Sequence, residues 1–120
     1  MGHPRAPAPA RPAALTAYAR RLGDRETGLD RTEPGLNRRA ANGGPLDTAT
    51  PRAMAHTLNK LLLGDALKPA SRERLAQWLL ANTTGGKRLR AGVPGGWKIG
   101  EKNGTAGGDP NDIGIAFPPQ

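Results

Sequence analysis

Two short stretches hold residues whose types and spacing could do chemistry. In Arg31-Thr32-Glu33-Pro34-Gly35-Leu36-Asn37 a carboxylate and a carboxamide stand four residues apart. If the chain brings them together, Glu33 as acceptor and Asn37 as donor and acceptor can hold one water, the arrangement a general base needs to activate it. In Lys102-Asn103-Gly104-Thr105 a cation, a side-chain donor and a glycine that permits close backbone approach could receive a substrate carboxylate. Each has an ordinary alternative: a solvated glutamate in a charged loop, and a strand end running into a turn.

The elements that must position these residues are legible in outline. Met1 to Pro12 alternates proline with alanine and arginine and reads as a disordered, polyproline-like tail over residues 1–12. From Pro12, the residues Leu15, Tyr18, Ala19 and Leu22 recur at helical spacing, with proline suited to the first turn and Gly23 to the stop. Residues 24–49 carry few apolar groups, many charges and the run Asn42-Gly43-Gly44-Pro45, and read as a loop with no regular element. An ordered loop longer than about 12–15 residues inside a domain is usually functional.

Thr50-Pro51 signals the next helix, with Met54, Ala55, Leu58, Leu61 and Leu62 on one face up to Gly64. A third runs from about Pro69 to Ala81, with the stripe Leu75, Trp78 and Leu79 and a stop at Asn82. Trp97–Lys102 and Ile113–Phe117 read as two strands of a hairpin separated by the polar run Gly104 to Asp112. The order predicts an α+β domain, and a lone hairpin is marginal, so partner strands are missing.

Composition sets limits on what such a chain does alone. Only nineteen of 120 residues are Leu, Ile, Val or Phe, while glycine and proline number 17 and 12. That apolar share lies below the roughly 20% under which charged chains tend to disorder. A large self-sufficient enzyme is excluded, and the isolated chain is expected to be poorly ordered. With no cysteine, thiolate chemistry and disulfides are ruled out, and His3 and His56 have no partner at metal-ligand spacing. No metal site and no cofactor are expected. The longest leucine run, Leu61-Leu62-Leu63, is far short of the roughly 20 residues that span a bilayer. No apolar segment near the N-terminus reads as a secretory signal. The net charge of +8 comes from 18 basic residues against 10 acidic, scattered in pairs and triplets such as Arg38-Arg39 and Lys87-Arg88. These read as solvated faces; a basic protein binding nucleic acid or another partner is the alternative, and would show strong salt dependence.

Several colinear blocks carry a resemblance. Leu29-Asp30-Arg31-Thr32-Glu33-Pro34-Gly35-Leu36-Asn37 resembles the omega loop of the class A serine β-lactamases. Thr50-Pro51-Arg52-Ala53-Met54, Leu61-Leu62-Leu63-Gly64, Pro69-Ala70-Ser71-Arg72, Asn82-Thr83-Thr84-Gly85 and Trp97-Lys98-Ile99-Gly100-Glu101-Lys102 continue it in order. The resemblance covers residues 13 to 118 and implies part of a β-lactamase and penicillin-binding-protein-like α/β sandwich over 13–120, with its omega loop at about 29–47. It implies β-lactam hydrolysis, and so antibiotic resistance, in complete relatives. That reaction runs through an acyl-enzyme on the serine of S-x-x-K, with a loop glutamate as deacylation base.

Carried over residue by residue, the resemblance makes Glu33 that base and Asn37 its partner in holding water. Lys102 and Gly104 match the lysine and glycine of K-T-G, and the Thr105 N–H is one arm of the oxyanion hole. Arg88 matches an arginine that helps receive the substrate carboxylate, and Asn103 stands where the family has a hydroxyl donor to it. Arg31 resembles the loop arginine that pairs with an aspartate at the far end, here Asp47. The departures are as definite: Ser71 is the only serine, Arg74 stands three residues beyond it, and S-D-N is absent. Complete relatives are expected to be monomers, periplasmic or secreted, with β-lactam substrates and no nucleic-acid or membrane partner. The chain is expected to be a β-lactamase piece, from a gene truncated or shifted in frame upstream, inactive on its own.

Overall fold

The computed structural model describes residues 11–41 and 44–120. Apart from its last two residues, the expected N-terminal tail lies outside the described residues, as does Asn42-Gly43 of the loop's glycine run. The described elements are α1 (Pro12–Arg21), a single 3-10 turn at Gly35–Asn37, α2 (Pro51–Leu62), α3 (Pro69–Leu80), α4 (Leu89–Gly92), β1 (Lys98–Ala106) and β2 (Asp109–Phe117). Three of the helices open on proline, whose fixed φ and missing N–H suit a first turn. The Thr50 hydroxyl caps α2 by accepting from the Ala53 N–H at 3.2 Å.

The strands are longer than sequence reasoning expected. β1 and β2 pair antiparallel from Lys98↔Phe117 to Ala106↔Asp109, so the polar run read as a connector is itself hydrogen-bonded sheet. The reversal is only Gly107-Gly108, both at positive φ (58° and 82°), the backbone that a two-residue hairpin turn with the strands' own twist requires. α4 was not expected, and the loop's 3-10 turn replaces the expected absence of regular structure.

β1 lies against α3. A Cβ on Gly100 would stand 3.0 Å from the Leu79 Cβ, so glycine is what lets the strand approach the helix this closely. Leu62, Leu79 and Ile99 are the buried apolar residues among those described. Trp78, expected in α3's apolar stripe, is 67% exposed, and Leu63 is 66% exposed. β1 covers only the side of α3 that carries Leu79. So thin a core agrees with the low apolar share of the composition.

Candidate active site

The long loop is built from its neck inward. At its start Asp24 is 6% exposed. Its Oδ1 accepts the Glu26 and Thr27 N–H groups, both at 2.9 Å, and its Oδ2 accepts from the Thr57 hydroxyl of α2 at 3.4 Å. The Thr16 hydroxyl on α1 bonds both backbone groups of Leu29, accepting from N at 2.9 Å and donating to O at 3.0 Å. The Gly28 N–H donates to the Thr48 carbonyl at 2.9 Å and closes the two ends.

Asp47 then locks the neck. Its Oδ1 accepts the Asp30 and Arg31 N–H groups at 2.7 and 2.9 Å, and its Oδ2 pairs with the Arg31 Nε at 2.6 Å. Asp30 answers by accepting the Asp47 N–H at 2.9 Å. Asp47 adopts φ 55°, a left-handed conformation that aspartate enters more readily than most residues. From the neck, Arg31 reaches into the loop and donates to the Arg38 carbonyl at 3.0 Å.

These bonds shift two titrations. The backbone N–H groups of Asp30 and Arg31, with the Arg31 guanidinium, hold the Asp47 carboxyl below its usual 3.8. Burial pushes Asp24 up, but hydrogen bonds from Thr27, Glu26 and Thr57 outweigh it, and its carboxyl also lies below 3.8. A carboxyl whose folded pKa is depressed stabilises the fold fully above its unfolded pKa, and that contribution is lost as pH falls through the folded value. Stability of a folded protein carrying this loop should therefore fall below about pH 4. Asp47→Asn should flatten that acid limb in a melting series from pH 6 to 3; an unchanged slope would remove Asp47 from the account.

Inside the neck, the Leu36 N–H donates to the Thr32 carbonyl at 3.0 Å, and the 3-10 turn carries Asn37 back over Glu33. The Asn37 Nδ2 donates to Glu33 Oε2 at 2.6 Å. This bond leaves Glu33 Oε1 and Asn37 Oδ1 as the acceptors it does not use. A water donating to both directs its lone pairs outward, as a nucleophile must. Both side chains are exposed, and the Glu33–Pro34 peptide is cis.

On the hairpin, strand alternation sends Glu101, Asn103 and Thr105 to one face and Lys102 to the other. The Arg88 guanidinium donates to the carbonyls of Gly104 (2.9 Å) and Asn111 (2.7 Å) and to the Thr105 hydroxyl. Asn103 Oδ1 accepts from Asn82 Nδ2 and the Thr84 hydroxyl. Lys102 is exposed and its ammonium donates to the Asn103 carbonyl; among the described residues no hydrogen bond or ion pair joins it to Glu33 or Asn37. The direct link between loop and hairpin is an exposed ion pair, Arg39 to Asp109 at 3.3 Å, of a kind that contributes about 0–1 kcal/mol.

The structure thus brings together Glu33 with Asn37, Arg31 with Asp47, and Arg88 with Gly104 and Thr105. Sequence reasoning gave no role to four residues that hold the hairpin and the turn beside it. Asn82 was read as a helix stop and, with Thr84 and Gly85, as part of a resembling block; its Oδ1 accepts the N–H groups of Thr84 (3.1 Å) and Gly85 (2.7 Å). Glu101 is fully buried and paired with Arg90 Nε at 2.9 Å. Gly85 lies against that carboxylate, where a Cβ would fall 2.5 Å from Glu101 Cδ. The Asn-Thr-Thr-Gly run, an Asx-turn signature, was the available signal for the first two.

A family model described as "Beta-lactamase enzyme family" matches residues 11–120. The chain is 52% identical over 109 residues to a β-lactamase of Streptomyces albus G, covering 90% of this chain and 34% of that protein. It is 50% identical over 108 residues to β-lactamase OXY-2 of Klebsiella oxytoca, covering 89% and 37%. Among solved structures it is similar to the class A β-lactamase PenP of Rhodopseudomonas palustris, with a TM-score of 0.85 and 61% identity over 91% of this chain and 42% of that one. An ancestral class A β-lactamase gives 0.84 and 61%, over 90% and 42%. The mixed helices and two-stranded sheet match part of the class A fold, and the chain spans about a third of the length of the curated relatives it matches.

Proposed function

The chain belongs to the β-lactamase enzyme family, and from that premise we propose that it supplies the deacylation half of a β-lactam hydrolase. The observation that carries this reading is the 2.6 Å hydrogen bond from Asn37 Nδ2 to Glu33 Oε2, which leaves one acceptor on each residue for a shared water. Glu33 removes a proton from that water as its oxygen attacks the ester carbonyl of an acyl-serine. The ester C–O bond then breaks, and the proton passes to the departing serine oxygen. The Thr105 N–H stabilises the oxyanion. Arg88, fixed between Gly104 and Thr105, receives the substrate carboxylate. Lys102 acts beside the serine in the assembled cleft.

These 120 residues contain no S-x-x-K, so the acyl-enzyme on which Glu33 acts requires a serine from another segment. In the whole enzyme the substrate is a β-lactam, the protein is a monomer, and it works in the periplasm or outside the cell without nucleic acid or membrane partner. No described helix is long and apolar enough to cross a membrane.

Two preparations test the reading. The 120-residue chain alone should hydrolyse a chromogenic cephalosporin no faster than buffer, because the attacking hydroxyl is absent. A chimera in which residues 11–120 replace their counterpart in the Rhodopseudomonas palustris relative should regain turnover. Hydrolysis by the free chain that Glu33→Ala abolishes, or a folded chimera with no turnover, would overturn it.

A further inference from the structure

Resting on that reading, we infer that Asn103 is a positioning residue, a clamp that fastens β1 to the turn at 82–85, and does not itself bind the substrate carboxylate. The argument starts at Asn82. Its Oδ1 accepts the N–H groups of Thr84 at 3.1 Å and Gly85 at 2.7 Å. Two backbone donors on that oxygen fix the orientation of the Asn82 amide, so its Nδ2 is the atom that faces β1. That Nδ2 donates to Asn103 Oδ1 at 3.0 Å, and the Thr84 hydroxyl donates to the same oxygen at 2.6 Å. Both lone pairs of Asn103 Oδ1 are therefore filled. Its orientation is fixed in turn, with Nδ2 directed at the Thr84 carbonyl 3.5 Å away. The carboxamide is set against the turn, and one of its two N–H donors is drawn to the same side.

A clamp here acts on the substrate site through one neighbour. The turn held by Asn103 leads within four residues to Arg88, whose guanidinium returns to β1 at Gly104 and Thr105, one and two residues beyond Asn103. The two attachments span the same gap between strand and turn. Loosening the first leaves the second alone to hold Arg88 at the position where the substrate carboxylate arrives. A hydroxyl oxygen at 103 would sit one bond closer to the strand. The longer carboxamide is what carries one oxygen far enough to engage Asn82 and Thr84 together while the strand keeps its register with β2.

The chimera separates this role from direct binding. Asn103→Ala and Thr84→Val should each raise KM for a carboxylate-bearing penicillin about three- to tenfold, leave kcat within about twofold, and together do no more than the larger single effect. Thr84→Ser, which keeps the hydroxyl, should restore the parent KM. In an Arg88→Ala background neither Asn103→Ala nor Thr84→Val should move KM further. If Asn103→Ala raises KM while Thr84→Val does not, or if their effects multiply, Asn103 touches substrate and the clamp is wrong. A lower melting temperature with no change in KM would reduce both residues to structural ones and equally overturn it. Should Asn103→Ala not fold, Thr84→Val against Thr84→Ser carries the same comparison. A folded but inactive parent chimera would defeat the functional reading alone; the clamp then stands or falls on the Kd of a carboxylate-bearing penicillin, which Asn103→Ala and Thr84→Val should raise non-additively and Thr84→Ser should not.

Discussion

In the chimera, Glu33→Ala is expected to stop turnover after a single cycle, leaving the enzyme as an acyl adduct visible as a mass increase on the intact protein. Removing a positioned general base costs about 10²–10⁴-fold in the step it serves. The serine hydroxyl remains to attack, whereas in deacylation the loop water is itself the nucleophile, so the larger loss falls on deacylation. Asn37→Leu should give the same adduct more weakly, because Glu33 keeps its carboxylate and loses the partner 2.6 Å away that orients the water. Steady turnover by Glu33→Ala with no adduct, in a chimera whose parent is active, would show that the residue-by-residue carry-over is wrong even where the fold is right.

The largest stability effect should come from Arg90. Glu101 is fully buried, its Oε1 receives the Arg90 Nε at 2.9 Å, and its Oε2 has no hydrogen-bond partner among the described residues. Arg90 also donates to the Ile99 carbonyl at 3.2 Å. Taking away one member of such a pair leaves an uncompensated buried charge, which costs about 3–5 kcal/mol. In a host of the relatives' size, Arg90→Leu should lower the melting temperature by about 6–20 °C. Adding Glu101→Gln should recover part of the loss, since a neutral amide is far less costly to leave unpaired. A shift within about 1 kcal/mol of the parent, or no recovery by the second change, would show that the carboxylate is solvated in the assembled protein.

How much of this was legible in the sequence depended on whether the signal was local. Pro12, Thr50-Pro51 and Pro69 mark helix starts because proline's geometry acts within one turn, and all three stand where helices begin. The long segment was legible as a loop, and its 3-10 turn explains how a spacing of four brings Asn37 back to Glu33. The hairpin was underestimated because Asn103, Asn111 and Asp112 are polar on an open sheet, where no alternation of apolar residues marks a strand. The Gly107-Gly108 turn signal was present, and the polar run around it hid its meaning. Glu101 could not be read at all. A glutamate between two strand residues looks solvated until Arg90 and the missing side chain of Gly85 are seen beside it. Asn103 was expected just past the end of the first strand and lies inside β1, and the direction of its carboxamide depends on Asn82, which two backbone N–H groups orient from a separate turn.

The pairing of β1 with β2 also bears on how the free polypeptide behaves in a crowded solution. Among the described residues the sheet has two strands, so each nine-residue strand leaves one side of its backbone unpaired. Such a row, about 30 Å long, is a template for another strand. β1 carries Lys98 and Lys102, whose charges resist edge-to-edge stacking, and Pro110 withholds an N–H near the tip of β2. The stretch Ile113–Phe117 has no charge and no proline, and it is the segment open to capture by a second copy. Capture is a bimolecular event, so its rate rises with the square of protein concentration. Dilution therefore lengthens the time the free chain stays in solution.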